Sequence, residues 1–405
     1  MQPVWGVCES LSHFPVALEA SEPVDVAEKM LAVLEDEAFS EEAYIKAFSC
    51  MGCGACLDAC PQGIDPRTLH ELVKIKLVKL GKNPPEGVNF MLPQRKPFLP
   101  ELLSSMQMKP SEARWLKEAP PSPEKKEIVV FLGCADLALP NRVFAMLDII
   151  EKMDVDFVAL MGGKLCCGIP NILAGQIGEA ESISRELIKN IEAFSPDKVI
   201  TTCPACYAQF KTVLPEYIPF DFDVQFITEF LSDNLDRLKF TKSLQKKVTL
   251  QESCPLSRKF KDHQSARNVI KAIPGVELLE MEHIKEESLC CGGLANITYP
   301  EYAMKFSHNI LEEAKRTGSD LLLSKCPGCL IFLCPFQGGY QYALTDVSIL
   351  VNEAMGGRKY EDKLAKYWGY RDLDKILGAS KEYIEANGLN LEEMKQMIPV
   401  IFGLT

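Results

Sequence analysis

A doubled pattern of cysteines limits what this chain can fold into more than any other feature of its sequence. Each copy has one opening cysteine, then an adjacent pair of cysteines followed by glycine, and then a CPxC motif. The intervals between these groups are 31 and 35 residues in the first copy and 35 and 34 in the second. The copies consist of Cys134, Cys166, Cys167, Cys203 and Cys206, and of Cys254, Cys290, Cys291, Cys326 and Cys329. Cysteines kept for packing alone would not repeat in this order, so the chain contains an internal repeat.

Short apolar segments rich in β-branched residues run directly into several of these cysteines, and a stretch with helical periodicity follows each adjacent pair. The predicted strands lie in 127–134, 197–206, 246–254 and 320–329, and the predicted helices in 175–193 and 300–317. Alternating strands and helices indicate a parallel sheet in each copy, with cysteines at the carboxyl ends of the strands, where open α/β sheets bind ligands. The predicted fold class is therefore α/β, with two pseudo-symmetric parallel-sheet βα units in tandem.

Five thiolates that converge from three strand ends exceed the four ligands of a structural zinc ion. A cluster of several irons accommodates them better, because neighbouring thiolates can bind neighbouring irons. Gly168 and Gly292 follow the adjacent pairs, and we expect them to let the backbone approach an inorganic core closely. Zinc in one of the two sets, and buried structural thiols, remain open as alternatives. No catalytic residue is assigned beyond the cluster ligands.

A second cysteine motif stands near the start of the chain. Cys50, Cys53, Cys56 and Cys60, followed by proline, match the bacterial ferredoxin run C-x2-C-x2-C-x3-C-P. In two-cluster ferredoxins the fourth cysteine of such a run binds the other cluster, and this chain has one run only. We therefore predict one cubane 4Fe-4S cluster held by Cys50, Cys53 and Cys56, with either Cys8 or Cys60 as the fourth ligand.

The remaining sequence divides around these motifs. Residues 24–35 and 68–80 predict helices, so the front part is mainly α-helical rather than a small ferredoxin of short strands. Cys334 matches neither copy and is expected to be a buried thiol. The predicted domains are a helical ferredoxin-like module at 1–83, a proline-rich linker at 84–126, cysteine-rich domains at 127–245 and 246–339, and a helical C-terminal extension at 340–405.

Composition excludes several classes of function. The formal net charge of −12 argues against a nucleic-acid surface. No apolar run approaches the length of about 18–20 residues that a membrane helix needs, and the first residues lack the pattern of a signal peptide. We therefore expect a cytoplasmic protein without a membrane span. In that compartment 16 cysteines should stay reduced, which favours metal or redox chemistry over disulfides.

The doubled motif resembles the cysteine-rich CCG-domain family, which includes the B subunit of heterodisulfide reductase and the corresponding subunits of glycerol-3-phosphate, glycolate and lactate oxidation systems. The resemblance covers about 127–335. It implies that each five-cysteine set holds one noncubane [4Fe-4S] cluster and that the two clusters face a disulfide. The front part resembles the helical ferredoxin module of the C subunit, in which a preceding motif ends near the position of Cys8. The chain thus resembles a fusion of these two subunits, as in a D-type subunit.

One departure from that family follows the cysteine that opens the second copy. Family members often have histidine there, whereas this chain continues with Pro255, Leu256, Ser257 and Arg258. This difference puts a disulfide substrate of the family's kind in question without affecting the ligands. Two roles for Arg258 are open, a surface salt bridge and the steering of an anionic substrate.

The resemblance implies an iron–sulfur subunit of a multisubunit, heterodisulfide-reductase-like oxidoreductase that is active within a complex. Its partners would be a flavin-bearing subunit and a dehydrogenase or hydrogenase, because the chain has no Rossmann or Walker motif. Single electrons would pass from the cubane to the noncubane clusters, which would reduce a disulfide. The alternative is a non-catalytic module that links a dehydrogenase to a quinone-side partner or to a low-potential reductase of the benzoyl-CoA reductase type. Since electron tunnelling requires short gaps, the front module should pack directly against one copy.

Overall fold

The computed structural model describes residues 22–35, 39–58, 60 and 65–404 of the chain. Its first part is helical, as the periodicity of the sequence predicts. The helices of this part are α1 (Pro23–Leu34), α2 (Glu41–Phe48), α3 (Ala55–Asp58) and α4 (Pro66–Lys79). The helices α1, α2 and α4 pack against one another around a small core that contains Phe48 and Leu77.

Local capping fixes where two of these helices begin. The Ser40 side chain accepts a hydrogen bond from Ala43 N at the start of α2. The Asp65 side chain accepts one from Arg67 N at the start of α4, whose first residue is a proline. The loop between α2 and α4 carries the four-cysteine run, so the two capped helices position it.

The proline-rich segment 84–126 does more than connect two modules. It contains the helix α5 (Leu99–Ser105) and two 3₁₀ turns, Glu86–Met91 and Pro110–Glu112. Phe98 and Met106 are fully buried, and Leu116 pairs with Leu160 in a parallel bridge. The segment is therefore more than a linker, because its apolar side chains complete the core of the domains that it joins.

Each cysteine-rich copy contains a four-stranded parallel sheet, and the two sheets have the same strand order. The orders are β2-β1-β3-β4 and β6-β5-β7-β8. The strands are β1 (Ile128–Phe131), β2 (Phe157–Leu160), β3 (Lys198–Thr201), β4 (Asp223–Phe226), β5 (Lys246–Gln251), β6 (Val276–Leu278), β7 (Leu321–Ser324) and β8 (Ala343–Asp346). The α/β tandem fold with a helical N-terminal region is thus confirmed.

Five helices alternate with the strands in each copy. Those of the first copy are α6 (Pro140–Lys152), α7 (Ile169–Leu173), α8 (Ile177–Glu192), α9 (Pro204–Thr212) and α10 (Ile227–Asp233). Those of the second copy are α11 (Ser265–Ala272), α12 (Ala295–Thr298), α13 (Pro300–Arg316), α14 (Pro327–Leu333) and α15 (Val347–Ala354). The helices α8 and α13 are those that the sequence predicts after each cysteine pair.

The two copies pack against each other and are related by a pseudo-twofold axis. The helix α6 of the first copy packs on α15 of the second, and the corresponding helix α11 packs on α10 of the first. A single hydrophobic core runs through both copies and joins residues such as Val129 and Ile149 to Leu250 and Val351. Because the core is shared, the two cysteine sets have fixed positions relative to each other.

The end of the chain packs on the second copy. It forms α16 (Lys363–Tyr370), α17 (Leu373–Ala386) and α18 (Leu391–Phe402). The strand β8 and the helix α15 also lie within 340–405, so the second sheet takes its last strand from the segment predicted as a helical extension. None of the helices in the described ranges has the length and apolar character needed to cross a lipid bilayer.

Candidate metal centres

The structure places the cysteines of both sets where the strands end. Cys134 begins a 3₁₀ turn shortly after β1, and Cys254 directly precedes a π-helical turn after β5. The adjacent pairs follow β2 and β6. Cys203 and Cys326 are the N-cap residues of α9 and α14, whose second cysteines lie in the first helical turn. All described cysteines are free thiols.

The five thiols of the first set contact one another in a fixed order. Cys166 Sγ lies 3.8 Å from Cys134 Sγ, and Cys167 Sγ lies 3.2 Å from Cys206 Sγ. Cys166 also contacts Cys167, and Cys206 contacts Cys203. The thiols therefore form the chain Cys134, Cys166, Cys167, Cys206 and Cys203. All five residues are buried.

The second set repeats this order. Cys290 contacts Cys254 and Cys291, while Cys329 contacts Cys291 and Cys326. The thiol chain runs from the opening cysteine through the adjacent pair to the CPxC motif, as in the first copy. Two sets with the same internal order are the strongest sign that both were built for one kind of ligand.

The second cysteine of each adjacent pair lies in the middle of its set. Hydrogen bonds from Cys166 and Cys206 hold the pKa of Cys167 well below its ordinary value although burial opposes this. Bonds from Cys290 and Cys329 lower the pKa of Cys291 in the same way. These two thiols are the preferred sites of negative charge, and a cationic metal core would stabilise the other thiolates as well.

Backbone and side chains approach the sets closely. A Cβ on Gly133 would lie 2.9 Å from Cys203 Cβ and 3.1 Å from Cys206 Sγ. Ser253 takes the corresponding position in the second copy, and its buried Oγ has no hydrogen-bond partner in the described part of the chain. An unpaired hydroxyl next to Cys254 is a donor that a cluster sulfide or thiolate can accept from.

Gly168 and Gly292 have a local reason to be glycine. Their φ angles are +82° and +91°, which other residues adopt at a cost. A Cβ on Gly168 would lie 2.6 Å from Ser184 Oγ and 2.8 Å from Ala180 O, and one on Gly292 would lie 2.5 Å from Asn296 Nδ2. The close approach that the structure describes is thus to the helical segments that follow, and approach to an inorganic core remains a prediction.

Three of the front cysteines come together in the loop after α2. Gly52 and Gly54 have positive φ angles, which turn the backbone around Cys53. Burial first, and then the charges of Cys50 and Cys53, raise the pKa of Cys56 to about 12, so these three thiols act on one another. Cys60 lies just after α3. Cys8 is outside the described residues, so the choice of fourth ligand stays a prediction.

Two buried lysines support a negatively charged group in the front site. Lys46 and Lys74 are 7% and 1% exposed. Burial lowers the pKa of Lys46 to about 8, and the charges of Cys50, Cys56 and Cys53 oppose that shift. The charge of Cys50 likewise opposes the lowering of the pKa of Lys74 by burial. Buried cations need nearby anions; Glu71 faces Lys74, and the front cysteines would supply further negative charge as thiolates bound to a metal core.

The front loop packs directly on the second copy, as predicted from the need for short gaps. The Cys53 thiol hydrogen-bonds to Cys290, which lowers the pKa of Cys53 to about 6. Thr298 Oγ1 donates to Phe48 O over 2.8 Å. A Cβ on Gly293 would overlap Met51 O, so only glycine fits there. One thiol of the front run thus joins the thiol chain of the second set.

The two five-cysteine sets also face each other across the pseudo-twofold axis. The helix α9 packs on the turn Pro255–Lys259 of the second copy, and α14 packs on the turn Cys134–Ala138 of the first. Contact with Cys206 lowers the pKa of Cys203, whereas burial and the charge of Cys326 raise it, and the net shift is upward. The first cysteines of the two CPxC motifs therefore lie close enough to act on each other electrostatically.

The surface salt bridge predicted for Arg258 is wrong, because its side chain is only 7% exposed. The steering of an anionic substrate stays a prediction. The Arg258 guanidinium donates hydrogen bonds to the carbonyl oxygens of Cys53, Glu286 and Ser288. Three backbone acceptors from two separate segments satisfy it inside the protein.

Sequence reasoning missed a pair of buried arginines near the sets. Arg142 Nε donates to Asp346 of the other copy over 2.6 Å, and its Nη1 pairs with Asp136. Arg267 pairs with Glu252 over 2.6 Å and with Glu280 over 2.7 Å. Both arginines are the third residue of the helix that follows the opening cysteine, in PNR and SAR. Alignment of the two copies would have revealed them.

The donor set fits iron–sulfur clusters better than a single ion. Each set offers five contacting thiols. The backbone at Gly133 comes close to the first set, and the Ser253 hydroxyl beside the second set has no partner among the described residues. Thiolate is the ligand that iron–sulfur clusters require.

Comparison with known proteins identifies the family of the two domains and then that of the whole chain. The model of the cysteine-rich domain family CCG matches residues 128–211 and 248–334, so both copies are CCG domains. The chain is 31% identical over 345 residues to the D subunit of dihydromethanophenazine:CoB–CoM heterodisulfide reductase from Methanosarcina acetivorans, and 80% of each protein is covered. The chain belongs to the family of this heterodisulfide reductase D subunit.

More distant relatives carry other names. The B subunit of fumarate reductase (CoM/CoB) from Methanothermobacter marburgensis is 26% identical over 319 residues, which cover 78% of this chain and 60% of that protein. EtfAB:quinone oxidoreductase from Syntrophomonas wolfei is 27% identical over 338 residues, which cover 78% of this chain and 45% of that protein. The chain is thus similar to oxidoreductases of different names.

Proposed function

We propose that this chain is an iron–sulfur electron-transfer subunit of a multisubunit, heterodisulfide-reductase-like complex. The observation that carries the proposal is the identical thiol order in the two copies, together with the contact of Cys53 and Cys290. Cys50, Cys53 and Cys56, with Cys8 or Cys60, would hold a 4Fe-4S cubane. The two five-cysteine sets would each hold a noncubane 4Fe-4S cluster. Clusters bound there would supply single-electron transfer, which the amino-acid side chains alone do not.

The packing of the front loop supports one order of sites for the electrons. Since this loop lies on the second copy, the second set would be the first acceptor after the front run. Burial of the thiols excludes water, and the shared core holds the two sets opposite each other. A flavin-bearing subunit would deliver electrons to the front module, and a dehydrogenase or hydrogenase would supply that subunit.

A disulfide bound between the two sets would be the substrate of the catalytic form. Its S–S bond breaks when it takes up two electrons and two protons, and two thiols leave. The pseudo-twofold arrangement suits this chemistry, because each sulfur can face one set. Similarity to the D subunit of a heterodisulfide reductase supports this substrate class.

The test is reduction of a disulfide by the protein purified anaerobically from its native cells together with its co-purifying subunits. With reduced methyl viologen as donor and the CoB–CoM heterodisulfide or cystine as acceptor, we expect two thiols per disulfide consumed. Cys291→Ser should abolish this activity, whereas Cys334→Ser, which removes a buried cysteine outside both sets, should retain it.

A second function is favoured by the similarity to EtfAB:quinone oxidoreductase. In that form the chain would transfer electrons between a dehydrogenase and a quinone-side partner, or to a low-potential reductase of the benzoyl-CoA reductase type, without a substrate of its own. Full clusters that are reduced by viologen but reduce neither disulfide would contradict the catalytic form and support this one.

A further inference from the structure

Arg258 joins three segments of the chain at one point. Its Nε donates to Glu286 O over 2.8 Å, its Nη1 to Cys53 O over 2.8 Å, and its Nη2 to Ser288 O over 2.5 Å. The planar guanidinium presents its donors in a fixed fork, so the three carbonyl oxygens are held at set positions. Arg258 itself lies on the turn Pro255–Lys259, directly after Cys254.

The clamped segments are those that carry three contacting thiols. Cys254 precedes the arginine's own turn, Cys290 follows the clamped carbonyl of Ser288 by two residues, and Cys53 contributes a carbonyl directly. The Cys290 thiol contacts both Cys254 and Cys53. One side chain therefore holds the three backbone segments whose thiols meet where the front run contacts the second set.

Among the residues that the structure describes, the first copy has no such clamp. Ala138 takes the position of Arg258, four residues after the opening cysteine, and is 1% exposed. Its carbonyl accepts a hydrogen bond from Gln107 Nε2 over 2.9 Å, and α5 packs on its turn. The proline-rich segment thus occupies on the first copy the place that the front loop occupies on the second.

The charge of Arg258 is also directed at this junction. Its three acceptors are neutral carbonyl groups, and within the described ranges it forms no ion pair with a carboxylate. A buried guanidinium stays charged and is stabilised by nearby negative charge. The thiolates of the junction are the negative groups that its charge reaches.

We propose that Arg258 is a positioning residue that locks the front loop onto the second copy. Electrons from the front site would therefore enter the pair of five-cysteine sets through the second set. The proposal rests on the proposed function for the identity of what is transferred, but the lock itself is a property of the chain. Arg258 would keep the front site close to the second set and raise its midpoint potential through its positive charge.

The test compares Arg258→Gln and Arg258→Lys with the unsubstituted protein, all purified anaerobically. Arg237→Gln is the matched control, because Arg237 also donates to backbone carbonyls, those of Met153 and Asp154, but in the first copy. The measurements are amide hydrogen exchange, iron content, the midpoint potential of the front site, and the magnetic interaction between the reduced front site and the second set.

Arg258→Gln should increase amide exchange at 50–57 and 286–289 by about tenfold or more, with exchange at 134–138 unchanged. The magnetic interaction should weaken and the midpoint potential fall, with iron content unchanged. Arg258→Lys keeps the charge but loses the fork, so it should keep the potential while exchange rises. Arg237→Gln should leave all four measurements unchanged.

Exchange and magnetic interaction unchanged in both Arg258 variants would overturn the proposal. An equal rise of exchange at 134–138 would overturn it too, since the residue would then stabilise the fold in general. Failure of the proposed function is distinguishable: an unsubstituted protein without iron would refute that function, while hydrogen exchange would still report the lock.

Discussion

The adjacent cysteines serve two different neighbours within each set. Cys166 contacts Cys134 at the end of one strand, whereas Cys167 contacts Cys206 in a helix that begins at the end of another. The pair therefore bridges two strand ends. Two neighbouring thiols can therefore both act as ligands without chelating the same ion. Such a chelate would close a strained ring through a single peptide unit.

His70 gives the front module a dependence on pH. It is 3% exposed, and its Nδ1 donates to Pro66 O over 2.8 Å in the neutral form. Burial, assisted by the charges of Lys46 and Lys74, lowers its pKa to about 4, although the bond to Pro66 and the charge of Asp65 oppose this. In the unfolded chain histidine has a pKa near 6.5.

Because the folded pKa is the lower one, the unfolded state binds the proton more tightly. The stability from neutral His70 is complete above about pH 6.5 and is lost as the pH falls towards about 4. From pH 7 to pH 5 we expect a loss of about 2 kcal/mol in the free energy of unfolding. His70→Gln should lack this part of the loss in urea unfolding.

His308→Gln is the control for that measurement. His308 makes the same bond to the carbonyl four residues earlier, Met304 O, but at an exposed site. Its replacement should leave the pH dependence as in the unsubstituted protein. Equal pH dependence of the His70 variant and the unsubstituted protein would show that His70 is not the titrating group.

At the scale of elements, the loop after each cysteine pair needs glycine for two reasons, backbone conformation and lack of space. Gly168→Ala must adopt a φ near +82° and place a Cβ 2.8 Å from Ala180 O in the helix that follows. Gly318→Ala has a φ of +68° but nothing within 4 Å of the new Cβ. The second variant therefore measures backbone strain alone.

Urea unfolding should show a loss of about 1 kcal/mol for Gly318→Ala and about 3 kcal/mol for Gly168→Ala. Only Gly168→Ala should also lose iron, because its shifted loop carries Cys166 and Cys167. Similar losses for the two variants would mean that the helix containing Ala180 shifts to make room for the new Cβ. The close contact would then not explain why residue 168 is glycine.

Four of the eight strands, β1, β3, β5 and β7, and the cysteine positions could be predicted because their causes are local. β-branched segments such as 127–134 favour strands, and the spacing of soft ligands is explicit in the sequence. The strands β2, β4, β6 and β8 escaped prediction, since each is three or four residues long and is buried at two positions at most. The fold of 84–126 escaped it as well, because proline-rich composition carries no period that shows which side chains are buried.

At the scale of the whole molecule, buried charge joins the two copies. Arg142 lies on α6 of the first copy, and its partner Asp346 is the N-cap residue of α15 in the second. The two residues are 204 positions apart, so no local pattern predicts their pairing. The role of Arg258 is hidden for the same reason, since its acceptor Cys53 lies 205 positions away.

Arg142→Leu should destabilise the protein by about 3–5 kcal/mol, because Asp136 and Asp346 would remain buried without their cation. Arg114→Leu breaks ion pairs to Asp148 and Glu151 at a more exposed site and should cost no more than about 1 kcal/mol. Urea unfolding measures both. Equal costs would mean that the buried link between the copies contributes no more to stability than the more exposed ion pairs of Arg114.

The count of iron and acid-labile sulfide per chain after anaerobic purification tests the central claim most directly. Three clusters predict about twelve irons per chain, and Cys167→Ser and Cys291→Ser should each remove about four. About four irons in the unsubstituted protein, unchanged in both variants, would leave only the front site. That result, or zinc in place of iron in a five-cysteine set, would contradict the account.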